Sequence, residues 1–265
     1  MPAPPNSFKA ALHERRFQVG LWAALANAYT TEVLSGSGYD WLLIDAEHGP
    51  NDLPLISAQI AAAAPSHPIV RLPVGEAWMI KQVLDAGAQT LLIPMVESVA
   101  QAEALVRAVR YPPAGMRGVG AALGRASRFG RIGDYLTTAD EEICLLLQIE
   151  SRAGLAALDG IAALEGVDGI FIGPSDLAAD MGHLGQSGAE PVQQAIVDAF
   201  RRIGRAGKAR GIMSLDLAQC HAYRAMGADF MAIGADVTLL AQAATALRQS
   251  FLGEGPEPAS SASGY

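Results

Sequence analysis

The chain has 265 residues, of which 51% are hydrophobic and 6% aromatic, a length that suits one large α/β domain with a closed core. With 19 Lys+Arg against 27 Asp+Glu, the net charge of −8 offers no basic field for a nucleic-acid backbone or an anionic membrane, and neither is expected as a partner. Two cysteines, Cys144 and Cys220, are too few for a disulfide framework or zinc cluster, and Met1–Ser7 lacks the pattern of a secretory signal, so a cytoplasmic location is expected.

In chain order, short apolar runs alternate with segments of helical periodicity. The expected strands are Val19–Leu25, Trp41–Asp45, Ile69–Leu72, Thr90–Pro94, Cys144–Glu150, Gly169–Ile172, Gly211–Ser214 and Phe230–Gly234. The expected helices are Thr30–Ser37, Leu53–Ala64, Ala77–Ala86, Val99–Arg110, Ala153–Leu164, Pro191–Arg210, Leu217–Met226 and Val237–Phe251. Strands rich in Val, Ile and Leu without polar alternation are covered on both faces, as in parallel sheets. Eight of them with intervening helices predict an α/β fold, a single closed (β/α)8 TIM barrel over residues 1–252. The rival, an open doubly wound sheet, lacks its fingerprint: no G-x-G-x-x-G follows the first strand. Tyr111–Asp140, rich in Pro, Gly and Arg, breaks the rhythm and reads as a long insertion before the fifth strand, covering the site or building a subunit contact. Residues 253–265 read as a disordered tail.

Barrel chemistry gathers where strands end, so polar residues at strand C-termini are the first candidates. The second strand runs into Asp45, Glu47 and His48, which a helix-capping turn alone does not require. Arg71 closes an apolar strand and is hard to bury without an anion, either a ligand or a structural partner. The fifth strand delivers Gln148 and Glu150 on one face, and the sixth opens into Gly173-Pro174-Ser175-Asp176. Strands spaced about 4.8 Å apart can bring two such carboxylates to one hard cation. Glu150 and Asp176 are therefore candidate metal ligands, and two carboxylates without Cys or paired His favour Mg²⁺ or Mn²⁺, with Co²⁺ a further candidate. The alternative is that each carboxylate caps a following helix. The three lysines, Lys9, Lys81 and Lys208, lie outside the expected strands, which argues against imine chemistry inside the barrel. His13, His67, His183 and His221 read as structural residues of helices or loops.

In these stretches the chain resembles the HpcH/HpaI aldolases, metal-dependent class II enzymes specific for pyruvate. The matching segments are Asp40-Trp-Leu-Leu-Ile-Asp45-Ala-Glu-His48, Val70-Arg71, Ile80-Lys-Gln-Val-Leu-Asp85-Ala-Gly87, Leu92-Ile-Pro94-Met-Val, the run from Arg110 to Gly120, Gln148-Ile-Glu150 and Phe171-Ile-Gly-Pro-Ser-Asp176-Leu. They cover nearly the whole domain in order. The resemblance implies a divalent metal on Glu150 and Asp176, enolate stabilisation by Arg71, and proton transfer by His48 with Asp45 nearby. It further implies that Asp85 comes from a neighbouring subunit to complete the histidine's hydrogen bonding, in a homo-oligomer, commonly a hexamer of swapped-helix dimers. The apolar helix expected over Val237–Phe251 is consistent with such swapping.

The expected reaction is reversible cleavage of a 4-hydroxy-2-oxo acid to pyruvate, or a related 2-oxo acid, and an aldehyde. Histidine as a residue type titrates near working pH and suits the proton transfer. Backbone donors around Gly173, Pro174 and Ser175 would support the developing oxyanion. Met213 and Leu215, on the strand-seven rim, depart from close relatives and would shape the aldehyde pocket. Rival readings are a lyase for 2-keto-3-deoxy sugar acids or citramalyl-CoA-like thioesters, and a barrel that binds a keto acid without turnover.

Overall fold

The computed structural model describes residues 1–253, so the tail expected from Gly253 onward lies, beyond that glycine, outside the described residues. Eight strands pair in sequence order, all parallel, and close into a barrel. They are β1 Gln18–Ala23, β2 Trp41–Asp45, β3 His67–Arg71, β4 Thr90–Ile93, β5 Cys144–Ile149, β6 Gly169–Ile172, β7 Ala209–Met213 and β8 Phe230–Ala235. The helices are α1 Ser7–His13, α2 Ala28–Ser35, α3 Leu53–Ala62, α4 Ala77–Asp85, α5 Val99–Ala108, α6 Tyr135–Thr138, α7 Arg152–Ala163, α8 Pro174–Asp180, α9 Glu190–Arg205, α10 Leu217–Ala225 and α11 Asp236–Leu252. No helix among the described residues is long and apolar enough to cross a membrane.

Three expectations are corrected. The segment assigned to Pro191–Arg210 is two elements: α9 stops at Arg205, and Ala209 and Arg210 already pair with β6. The break falls at Gly207, whose φ of 78° lies in the left-handed region that ends helices. Pro174–Asp180, left outside the expected helices, is helical, with proline at its first position where a missing N–H costs nothing. His67, expected in a loop or helix, is the buried first residue of β3.

Two apolar layers hold the barrel. Outward residues of the strands pack under the helices, while Trp22, Trp41, Leu43, Ile69, Leu146, Phe171 and Phe230 fill the interior. The indole of Trp41 occupies the space where a Cβ on Gly20 would lie, so β1 needs glycine there. Helix α1 plugs the N-terminal end. Its Phe8 packs edge-on against Trp41 and Phe230 and stacks on His67.

The connection from α5 to β5 therefore runs on the N-terminal face, away from the strand ends that carry chemistry. It is ordered by its own small core of Tyr111, Ala121, Ile132, Tyr135 and Ala139 against Ala3. The other end differs. Asp236, at the start of α11, accepts from the N–H groups of Ala24 and Leu25 at 2.9 and 3.1 Å, anchoring that helix to the rim. Beyond it no other α11 residue is buried among the described residues, and Leu240, Leu247 and Phe251 are 60%, 74% and 87% exposed.

Candidate active site

Asp45 and Arg71 are cross-strand partners at the C-terminal ends of β2 and β3. Arg71 donates from Nε and Nη2 to the two Asp45 oxygens at 3.0 and 2.7 Å, a bidentate pair that is buried on both sides. Its Nη1 lies 2.8 Å from Glu47 Oε2, an ion pair without hydrogen-bond alignment. The guanidinium carbon sits 5.0 Å from the Trp22 ring centre, and Trp22 Nε1 donates to Asp45 at 3.3 Å. The structural partner foreseen as one alternative for Arg71 is thus present, yet the guanidinium also lines the cavity at the barrel mouth.

Asp45 is further held by the N–H groups of Glu47 and His48 at 3.0 and 3.3 Å. Burial alone would raise its pKa, but the hydrogen bonds and charge of Arg71, joined by those two N–H groups, outweigh it and the carboxyl is lowered. Glu47 has no such donors. Burial raises it to about 7, against the pull of Arg71 and with help from the charges of Asp45 and Asp176.

Glu150 follows β5, buried. It accepts from Gln148 Nε2 at 2.5 Å and from the Met95 N–H at 2.8 Å. Met95 makes that bond from a left-handed conformation, φ 53°, uncommon for a residue with a side chain and frequent at functional sites. Desolvation raises Glu150 to about 7, the two hydrogen bonds oppose it, and the charges of Asp176 and Glu47 add to it. A Cβ on Gly173 would collide with the Glu150 carboxylate, which fixes glycine at the β6 exit. Asp176, in the first turn of α8, is exposed.

Trp22, His48, Arg71, Gln148, Glu150, Phe171, Gly173, Pro174, Ser175, Asp176 and Met213 line one cavity of about 60 Å³. An adjoining space of about 210 Å³ shares Trp22, His48 and Met213 and adds Asp45, Leu215, Val237 and Thr238. One chain thus brings together eleven of the twelve residues expected from sequence. Asp85 is the exception: it ends α4 on the opposite face and pairs with Arg117 at 2.9 Å. The imidazole of His48 has no hydrogen-bond partner among the described residues of this chain. The backbone donors expected at Gly173–Ser175 are fewer than foreseen. Gly173 spends its N–H on Ile149 O, and Pro174 has none, leaving that of Ser175.

The donor set suits a hard cation. Glu150 and Asp176 share the cavity with Gln148 Oε1, a buried acceptor without a partner among the described residues, and the mutual repulsion of Glu47, Glu150 and Asp176 is what a divalent ion would relieve. Among the described residues no three His, Cys, Asp or Glu side chains close around a point. Two carboxylates with open positions are the pattern of a Mg²⁺-type site, which keeps room for water and substrate. Sequence reasoning missed Trp22 and the Met95 N–H, and gave Glu47 no role.

Residues 18–243 match the family described as HpcH/HpaI aldolase/citrate lyase. The chain is 60% identical to a hydroxypyruvate/pyruvate aldolase of Roseovarius nubinhibens over 92% of this chain and 96% of that one. It is 51% identical to a 4-hydroxy-2-oxo-heptane-1,7-dioate aldolase of Klebsiella pneumoniae, over 93% of this chain and 94% of the other. The crystal structure of an HpcH/HpaI aldolase/citrate lyase family protein from Burkholderia cenocepacia superposes with a TM-score of 0.90 at 40% identity, covering 93% and 99% of the two chains.

Proposed function

The chain belongs to the HpcH/HpaI aldolase/citrate lyase family, and from that membership we propose how its site works as a class II aldolase that reversibly cleaves 4-hydroxy-2-oxo acids to pyruvate and an aldehyde. The observation that carries the reading is the convergence of His48, Arg71, Glu150 and Asp176 on one cavity at the barrel mouth. The Roseovarius relative is a hydroxypyruvate/pyruvate aldolase, which supports hydroxypyruvate beside pyruvate as the 2-oxo acid.

Glu150 and Asp176 would hold a divalent cation, Mg²⁺ or Mn²⁺ before Co²⁺ for an all-oxygen set. When bound, such an ion polarises the 2-oxo group and offsets negative charge at its oxygen. Arg71, fixed by Asp45 and Trp22, keeps positive charge against the same cavity, and the N–H of Ser175 adds a donor. In cleavage the 4-hydroxyl gives its proton to His48 as the C3–C4 bond breaks. The bonding electrons move into the C2–C3 bond, and aldehyde and pyruvate enolate result. A proton returned to C3 completes pyruvate, and condensation is the same path reversed.

Met213, Leu215, Val237 and Thr238 bound the adjoining space that would receive the aldehyde. Its size suits a small aldehyde better than a nucleotide-bearing thioester. Because Asp85 stands on the face opposite His48, a shared site requires a homo-oligomer, and the uncovered side of α11 supports a helix-swapped dimer within a hexamer. Two free, buried cysteines fit a reducing, cytoplasmic setting. The test is pyruvate release from a panel of 4-hydroxy-2-oxo acids, coupled to lactate dehydrogenase. Release that depends on Glu150 is expected, and no release from any member would favour keto-acid binding without turnover.

A further inference from the structure

A larger cavity, about 460 Å³, opens at the other end of the barrel, where the α5–β5 connection packs against the starts of β3 and β4. Three guanidinium groups line it: Arg125, Arg128 and Arg131. No Asp or Glu is among the lining residues. By contrast, Arg71, Arg117, Arg152 and Arg210 each pair with a carboxylate. Among the described residues the side chains of Arg125 and Arg128 make no ion pair or hydrogen bond, and Arg131 spends one N–H on Arg128 O at 3.3 Å.

The placement is built into the backbone. Gly87 has φ 108°, and Arg125 Nη1 lies 2.7 Å from where a Cβ would stand, so any other residue there would push the guanidinium away. Arg128 and Phe129 are consecutive left-handed residues, φ 53° and 59°. Ser127 holds that turn, its hydroxyl bonding Ala121 O and accepting from the Gly130 N–H. Arg125 is half-buried and Arg128 and Arg131 are exposed, so their mutual repulsion is softened by water, and a bound anion would remove what is left of it. The guanidinium fork matches carboxylate and phosphate oxygens, while Phe129, Tyr135 and Ile60 offer apolar wall to a carbon skeleton. The volume falls in the range of small-molecule sites, about 300–1,000 Å³.

We infer that this cavity is a second binding site, separate from the barrel mouth of its own chain, for a small organic anion carrying two or more negative charges, a di- or tricarboxylate or a phosphate ester. The inference does not depend on the aldolase reading. Isothermal titration calorimetry in metal-free buffer at fixed ionic strength tests it, with citrate, succinate and inorganic pyrophosphate as probes and acetate as the monovalent control. Saturable binding of one multivalent probe per chain is expected, weaker or absent for acetate. It persists in Arg71→Ala and weakens about tenfold in Arg128→Gln, the loss of one charge-assisted contact. The triple variant Arg125→Gln/Arg128→Gln/Arg131→Gln abolishes it while keeping pyruvate enolisation, which shows the protein is folded. Preference for the carboxylates or for pyrophosphate tells the two ligand sources apart. No saturable heat with any multivalent probe overturns the inference, as does binding that vanishes in Arg71→Ala and survives in the triple variant. A fall in oligomer mass of the triple variant without probe binding in wild type assigns the arginines to a subunit contact instead, and equally overturns it.

Discussion

Arg71 grips Asp45 through both of its oxygens, at 3.0 and 2.7 Å, at the end of two paired strands. Removing one member of a buried ion pair strands the other charge, a cost of about 3–5 kcal/mol. Arg71→Ala is expected to lower the melting temperature and to cut pyruvate enolisation at least about 100-fold, the scale of losing an oxyanion donor. Arg71→Lys keeps the charge but loses the fork, and should recover stability more than rate. Deuterium exchange into the pyruvate methyl group, followed by proton NMR beside thermal melts, checks both. Wild-type exchange in Arg71→Ala would remove the guanidinium from the chemistry.

Glu150 is the better placed of the two proposed metal ligands, because it is buried and its neighbours add negative charge. Chelation should abolish pyruvate release, and Mg²⁺ or Mn²⁺ should restore it. In Glu150→Gln, Mn²⁺ binding read by calorimetry is expected to weaken by about tenfold or more, the range seen when a site loses ligand support. Full activity after exhaustive chelation would defeat the metal assignment.

Much of this was legible because charge inside an apolar strand is conspicuous. Asp45, Arg71 and Glu150 stand out for that reason, and β2 and β6 have the bounds that their apolar runs predict. What escaped has a physical explanation in each case. Trp22 looks like any core aromatic until its Nε1 and ring are seen against Asp45 and Arg71. The Met95 donor is a backbone group, and its left-handed conformation has no glycine or asparagine to announce it. Helix α8 hid behind Gly173-Pro174, which reads equally as turn or helix start, and α1 is one short amphipathic segment burying Phe8, Ala11 and Leu12. Asp85 has no signal in this chain alone and is reached only through the family resemblance.

His48 and Asp85 lie at opposite ends of one barrel, so a site that used both would need two copies. His48→Ala and Asp85→Asn should each lose most activity alone. Unfolded together and refolded as a mixture, they should regain part of it, since some sites then combine intact residues from different chains. Steady-state rates against mixing ratio give the answer, and a mixture no better than its parts would place the whole site in one subunit.

Leu240, Leu247 and Phe251 leave α11 with an apolar side that the described residues do not cover. Leu240→Glu/Leu247→Glu should leave the barrel folded and reduce the mass measured by light scattering. Activity is expected to fall with the mass if sites are shared. An unchanged mass would mean that α11 is not a subunit contact.

His67 sets a limit on acid stability that is separate from the chemistry. Its ring stacks on Phe8 at the closed end of the barrel, and its Nε2 meets Thr90 Oγ1 at 2.8 Å, an oxygen that also accepts from Asn6. Burial pushes its pKa down from 6.5 to about 4, so the folded protein holds the ring neutral while the unfolded chain protonates it. Between pH 6.5 and about 4 the unfolded state binds the extra proton, and stability falls as pH falls through that window. The shift corresponds to roughly 3 kcal/mol. Glu47 and Glu150, raised by burial to about 7, act with the opposite sign over part of the same range, so the informative quantity is the difference between wild type and His67→Gln. Urea unfolding at pH 7.5, 6, 5 and 4.5 should show wild type losing stability relative to the variant at each step down. Parallel curves would mean that His67 is already solvated in the folded barrel.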